Sequence, residues 1–364
     1  MKWLLIISVL FITAHVFSQT TKLKPGFDPA EYAELLSLSY YGNSIADSIK
    51  RKTQKDRYQL VYRSQETGLL NRWQLFLRDD KVAVIEIRGT VNELPSWLEN
   101  FYAAMIPAAG SLQINDSTEF NYKLAEDPKA MVHTGWTIGV AYLAPEIVAA
   151  INKQYNEKGI TDFLMIGHSQ GGALSFLMRS YLEYQKKENK IPAAVHFKTY
   201  CSAAPKPGNL YYAYDFDFIT RGGWAYTIVN SADWVPETPF SVQTLKDFND
   251  INPFASIKNI LKKQKLIIRV GGNIVYDKID RKTRKAQKKF EKYLGRVVYK
   301  QVKNSLPQLK EPNYTSGNNY MRAGNPVVLL ADEAYYREFT GSKEMFFIHH
   351  GFRPYYYLLN KYYL

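Results

Sequence analysis

Gly167-His168-Ser169-Gln170-Gly171 sets a serine between two glycines, directly after the apolar run Phe163–Ile166. The chemistry this suits is nucleophilic attack on a carbonyl. A serine on a sharp strand-to-helix turn exposes its hydroxyl, and small flanking residues let the backbone make the turn. Downstream, Leu174, Leu177 and Leu182 recur at helical spacing, and Gly172 and Ala173 keep the helix start slim. Ser169 is therefore read as a nucleophile rather than as part of an ordinary tight turn.

A serine hydroxyl is weak at neutral pH and needs a base, with a carboxylate to orient that base. After a serine on such a turn, the acid and then the histidine follow in chain order. Of six histidines, His15 lies in the N-terminal apolar segment, His133 and His168 come before the serine, and His196 sits inside the next strand. That leaves His349-His350, after the apolar run Met345–Ile348, which reads as the last strand. His350 is the preferred base and His349 the alternative.

Asp233 is the best placed acid, three or four residues past the strand Tyr226–Val229, on a loop that Pro236 and Pro239 stiffen. Active sites of open α/β sheets collect at that carboxyl edge. Asp215 and Asp217 are rivals, read as solvated turn residues. An oxyanion needs two donors. One is the Gln170 N–H at a helix start; the other is Thr90, after the strand Val82–Ile87 and the turn at Gly89.

Strands that must hold these groups read as Tyr58–Arg63, Trp73–Arg78, Val82–Ile87, Phe163–Ile166, Val195–Tyr200 and Tyr226–Val229, alternating with amphipathic stretches. That alternation predicts an α/β architecture, a mostly parallel central sheet with flanking helices. With 46% hydrophobic and 22% charged residues, the 364-residue chain has the material for a sizeable core. Cys201 is the only cysteine, which excludes an intramolecular disulfide, and its setting reads as a buried strand end.

Lys2, the apolar run Trp3–Ile12 and Val16-Phe17-Ser18 read as a signal peptide over residues 1–18. The run is too short to span a bilayer, which needs about 20 residues. No later apolar run reads as a membrane helix. The expected organisation is thus an exported chain, secreted or periplasmic, with one domain over 19–364.

Together these blocks resemble the class 3 lipases, the fungal-lipase-like branch of the α/β-hydrolase fold. The matching segments are Phe27–Leu36, Ile87–Thr90, Val132–Trp136, Ile166–Leu174, Ala204–Asn209 and Val229–Pro236, in that order. The resemblance implies acyl-ester hydrolysis by Ser169, Asp233 and a terminal histidine, with Thr90 and Gln170 at the oxyanion. It implies no metal and no organic cofactor. The doubled histidine departs from the family pattern, and so does a basic, helical insertion at about 240–340, before the last strand.

Within that insertion, residues 258–310 hold 17 Lys or Arg against Asp277, Asp280 and Glu291. That excess exceeds the formal +13 of the whole chain, so the basicity belongs to this segment. Ile279, Thr283, Ala286, Phe290, Tyr293 and Val297 recur at steps of four and three, which predicts a thin apolar stripe beside a cationic face. Such a helix suits an anionic membrane surface. An exported chain without a reading motif argues against nucleic acid. A second apolar stripe (Trp97, Leu98, Phe101, Tyr102, Met105, Ile106) predicts a helix over 95–108 that either caps the site as a lid or packs on the sheet. Two readings rival lipid-ester hydrolysis: acyl transfer by the same residues, and a catalytically idle lipid- or envelope-binding protein. Oligomeric state is not legible.

Overall fold

The computed structural model describes residues 21–41, 57–254 and 257–364. The signal segment predicted over 1–18 lies outside them. Seven strands form the main sheet, and their order in space is their order in sequence: β1 (Tyr58–Arg63), β2 (Trp73–Arg78), β3 (Ala83–Ile87), β4 (Asp162–His168), β5 (His196–Ser202), β6 (Ala225–Asn230) and β7 (Asn325–Leu329). The first two connections are antiparallel, with Trp73 opposite Ile87. From β3 onward every pair is parallel, as in Ile85 to Met165 to Thr199. This is the mostly parallel sheet expected, within two residues of the predicted strand ends.

Side chains alternate across the central strands, as the period of two requires. Ile85, Ile87, Phe163 and Met165 face one core layer with helices α3 (Thr134–Lys158) and α4 (Gln170–Lys187). Val84, Leu164 and Ile166 face the other, with α1 (Pro29–Tyr41) and α8 (Phe352–Tyr363). Parallel strands covered on both faces read as unbroken apolar runs, which is why they were legible. Helix α3 corrects one expectation: by length and composition it is apolar enough to cross a membrane, yet its apolar window is 67% buried inside the protein, as befits a core helix.

Four further expectations change. The run Met345–Ile348 is not a strand but a series of turns; Phe346 and Phe347 are exposed, so the run is apolar at a surface rather than in a sheet. The last strand is β7, inside the 240–340 range assigned to the insertion, and a short helix, Glu333–Glu338, follows it there. β7 was overlooked because it carries Pro326, which only an edge strand tolerates. The predicted 95–108 helix stops early. Helix α2 covers only Leu94–Phe101, and Met105 and Ile106 are buried in a short strand paired with Met131–His133.

The insertion comprises α5 (Ile257–Lys262), α6 (Leu266–Glu291), a π-helical turn (Lys292–Val297) and α7 (Val298–Ser305). The wider π turn shifts the buried seam. Gly295, Val298 and Val302 face inward, whereas Tyr293 and Val297 of the predicted stripe stand exposed.

Candidate active site

Ser169 stands between β4 and α4, as the cap residue of α4, with φ 61° and ψ −128°, a left-handed conformation that costs a non-glycine residue strain. Two bonds hold it there: Ser169 N–H donates to the Ser202 carbonyl at 2.9 Å, and Gly172 N–H donates to the Ser169 carbonyl at 2.9 Å. The flanking glycines are required by proximity. A Cβ on Gly171 would stand 2.1 Å from the Ile87 carbonyl oxygen, and one on Gly167 2.1 Å from the Gly171 oxygen.

His350 lies on the turn that leads into α8. Its Nδ1 meets Asp233 Oδ2 at 2.7 Å, and the Asp233 side chain is fully buried. Tyr355 OH donates to the same oxygen at 2.8 Å, and Val235 N–H donates to Oδ1 at 3.0 Å. With the carboxylate fixed from two sides, Nδ1 carries the proton and Nε2 is left to accept one. Nε2 is buried and has no hydrogen-bond partner among the described residues. His350 and Ser169 line one cavity of about 750 Å³. His349 is bonded elsewhere: its Nδ1 accepts from Tyr335 OH at 2.9 Å, and its carbonyl accepts from Asn230. Burial lowers its pKa.

The structure thus brings Ser169, Asp233, His350, Thr90 and Gln170 to the carboxyl edge of the sheet. It does not bring the rival acids there. Asp215 accepts from Tyr184 OH and the Glu126 N–H, and Asp217 accepts from Gly324 N–H, so both are structural acceptors on the helix Leu210–Ile219 rather than solvated turn residues. Cys201 is fully buried, and burial pushes its thiol pKa up.

Thr90 borders the cavity, and its Oγ1 accepts from Asn100 Nδ2 at 2.9 Å. That leaves the hydroxyl proton available for donation. Asn100 is itself locked, since its Oδ1 accepts from Trp136 Nε1 at 3.0 Å and its carbonyl faces His133 Nε2 at 3.1 Å. The Gln170 side chain turns away toward Ser96, while its N–H heads α4, where a helix's first N–H groups lack intrahelical acceptors. Beneath it, burial pushes the Glu99 carboxyl up to about 8.

Sequence reasoning missed three supports. His168, which precedes the serine in the motif, is the first. Its Nε2–H donates to the His350 carbonyl at 2.7 Å, so its Nδ1 must accept from Ser202 Oγ at 3.0 Å, and Tyr32 OH then donates to that hydroxyl at 2.7 Å. Burial lowers its pKa to about 3, which keeps this imidazole neutral. Tyr355 and Asn100 were the others. Only His168 had a signal, its place inside the serine motif.

The cavity wall is mostly apolar, with Leu36, Trp97, Phe101, Trp136, Phe240 and Phe347 prominent. Among the described residues no group of three or more His, Cys, Asp or Glu is placed to hold a metal ion.

Residues 84–243 match the family described as Lipase (class 3). A secreted mono- and diacylglycerol lipase of Fusarium solani is 26% identical over 44% of this chain and 40% of its own length. A secreted mono- and diacylglycerol lipase of Malassezia globosa is 29% identical over 31% of this chain and 35% of its own. The chain therefore spans well under two thirds of either relative. A deletion mutant of Rhizomucor miehei lipase in its propeptide complex shares 19% identity over 58% of this chain and 61% of its own, with a TM-score of 0.41.

Proposed function

We propose that this chain, whose residues 84–243 match the class 3 lipase family, is an exported serine esterase acting on lipid acyl esters. The observation that carries this reading is the Asp233–His350 pair opening onto the same apolar cavity as Ser169. Ser169 Oγ attacks the ester carbonyl while His350 Nε2 takes its proton. Asp233 holds the other ring nitrogen and stabilises the imidazolium that forms. The oxyanion receives the Gln170 N–H together with the N–H and hydroxyl of Thr90. His350 then protonates the leaving alcohol, and water, activated by the same imidazole, releases the acid from the acyl-enzyme.

A cavity of about 750 Å³ with aromatic and aliphatic walls suits an acyl chain more than a polar acid. Both relatives above are named for mono- and diacylglycerols, which makes these the first substrates to assay. The purified protein should label with a fluorophosphonate and hydrolyse such esters, and Ser169→Ala should do neither. Labelling without ester turnover would end the hydrolase reading and point to transfer onto an acceptor alcohol. No labelling at all would leave an idle lipid binder.

A further inference from the structure

Exposed aliphatic residues gather in the first half of α6, with cations before and behind them: Lys262, Lys263 and Lys265 just before the helix, Arg269 within it, and a longer run in its second half. Its N-terminal half carries Leu266, Ile267, Ile268, Val270, Ile274 and Val275, each about half exposed or more, with Ile267 at 87%. Its C-terminal half carries Arg281, Lys282, Arg284, Lys285, Lys288 and Lys289, all exposed. Gln287 is the only buried residue described along the whole helix, so α6 projects from the domain instead of packing on it. At 26 residues and 1.5 Å per residue it is about 39 Å long. Helix α5 folds back on it, with Gly272 leaving room for Leu261, so the apolar end is a helical hairpin.

The C-terminal end joins the active site. The π turn that follows α6 sends Leu294 into the cavity wall, and its carbonyl accepts from Ala104 N–H at 3.0 Å. Phe290, in the last turn of α6, packs on Phe240 of the cavity rim, ring centroids 6.5 Å apart.

We propose that this arm is a membrane anchor for the esterase, setting the aliphatic side chains of Leu266–Val275 into the interface of an anionic lipid bilayer while the cations at either end, Lys262–Lys265 and Arg281–Lys289, rest at the headgroups. The occupant is chosen by charge and polarity together. Exposed aliphatic side chains gain by leaving water, and the cations on both sides of them select a negative surface at headgroup depth. The Arg281–Lys289 run continues through Phe290 and Leu294 into the cavity wall, so an anchored arm holds the mouth near the lipid that supplies substrate. The proposal rests on the lipid-ester reading of the site.

The test uses the full chain carrying Ser169→Ala and vesicles of phosphatidylcholine with or without phosphatidylserine. Binding should require the anionic lipid and weaken as salt rises. Each cation near such a surface strengthens binding about fivefold, so Lys285→Gln with Lys288→Gln and Lys289→Gln should weaken it about a hundredfold. Ile267→Ser with Ile268→Ser should weaken it too. Ile267→Trp should gain fluorescence that acyl-chain-brominated lipid quenches, whereas Lys285→Trp should not. Equal binding to neutral vesicles, no binding, or quenching at both positions would overturn the proposal. So would a concentration-dependent dimer that buries Leu266–Val275. In a chain with Ser169 intact, the Ile and Lys variants should hydrolyse a dissolved short ester normally. A chain that hydrolyses that ester but ignores vesicles keeps its chemistry and loses the anchor.

Discussion

Around Ser169, groups are held from more than one side: Asp233 by Tyr355, Val235 and His350, and Asn100 by Trp136 and His133. Along Leu266–Glu291, one residue in the whole helix is buried and the cations face solvent. Reaction geometry tolerates little displacement, since about 1 Å of misplacement can cost about a hundredfold in rate. Attraction to a charged, fluid surface tolerates a great deal. One chain therefore spends bonded, buried structure on the first region and leaves the second unencumbered. The contrast has consequences that can be measured.

The largest effects should fall on the bonded region. Ser169→Ala and His350→Ala should each lower kcat about 10⁶-fold, because such groups act as a unit. His349→Ala should leave most activity, since that ring is bonded to Tyr335 rather than to Asp233; a dead His349 variant would move the base by one residue. Thr90→Val keeps the backbone N–H and loses the hydroxyl, and kcat on a short ester should drop about a hundredfold. A normal rate would remove the hydroxyl from the oxyanion site.

A smaller effect should appear with pH. Glu99 stays protonated in the fold up to about 8, while the unfolded chain ionises near the ordinary carboxylate value. The fold then binds the extra proton, so this residue's contribution is full below about 4.5 and is lost as pH rises towards 8. Glu99→Gln removes that loss, so its melting temperature should gain on the parent between pH 5 and pH 8. Parallel melting curves across that range would show that Glu99 is ionised. The smallest effect belongs to the arm: neutralising Lys285, Lys288 and Lys289 should change neither melting temperature nor short-ester turnover. A clear loss of either would mean that the arm supports the fold, and the contrast between the regions would fail.

Much of the site was legible because its chemistry is local. The serine turn is a five-residue motif, and the chain order of acid and histidine narrowed six histidines to two. The central strands were legible because both of their faces are buried, so composition alone marks them. Met345–Ile348 misled because a surface apolar run and a buried strand have the same composition. The strand at Asn325–Leu329 hid behind a proline that only an edge position explains. The arm's cations could be counted, but the periodicity that predicted a continuous stripe broke at a π turn, which no residue type announces.

The sequence by itself determined the nucleophile motif, the sheet's central strands, the two histidines and the place of the excess charge, all of which depend on neighbours in the chain. Only the tertiary structure decided that His350 rather than His349 meets Asp233, that His168 grips the His350 carbonyl, and that Leu294 reaches the cavity. Those pairings join residues 117, 182 and about 190 positions apart. Adjacent residues on a turn point in different directions, and which of them meets a distant carboxylate depends on how the last helix docks on the sheet.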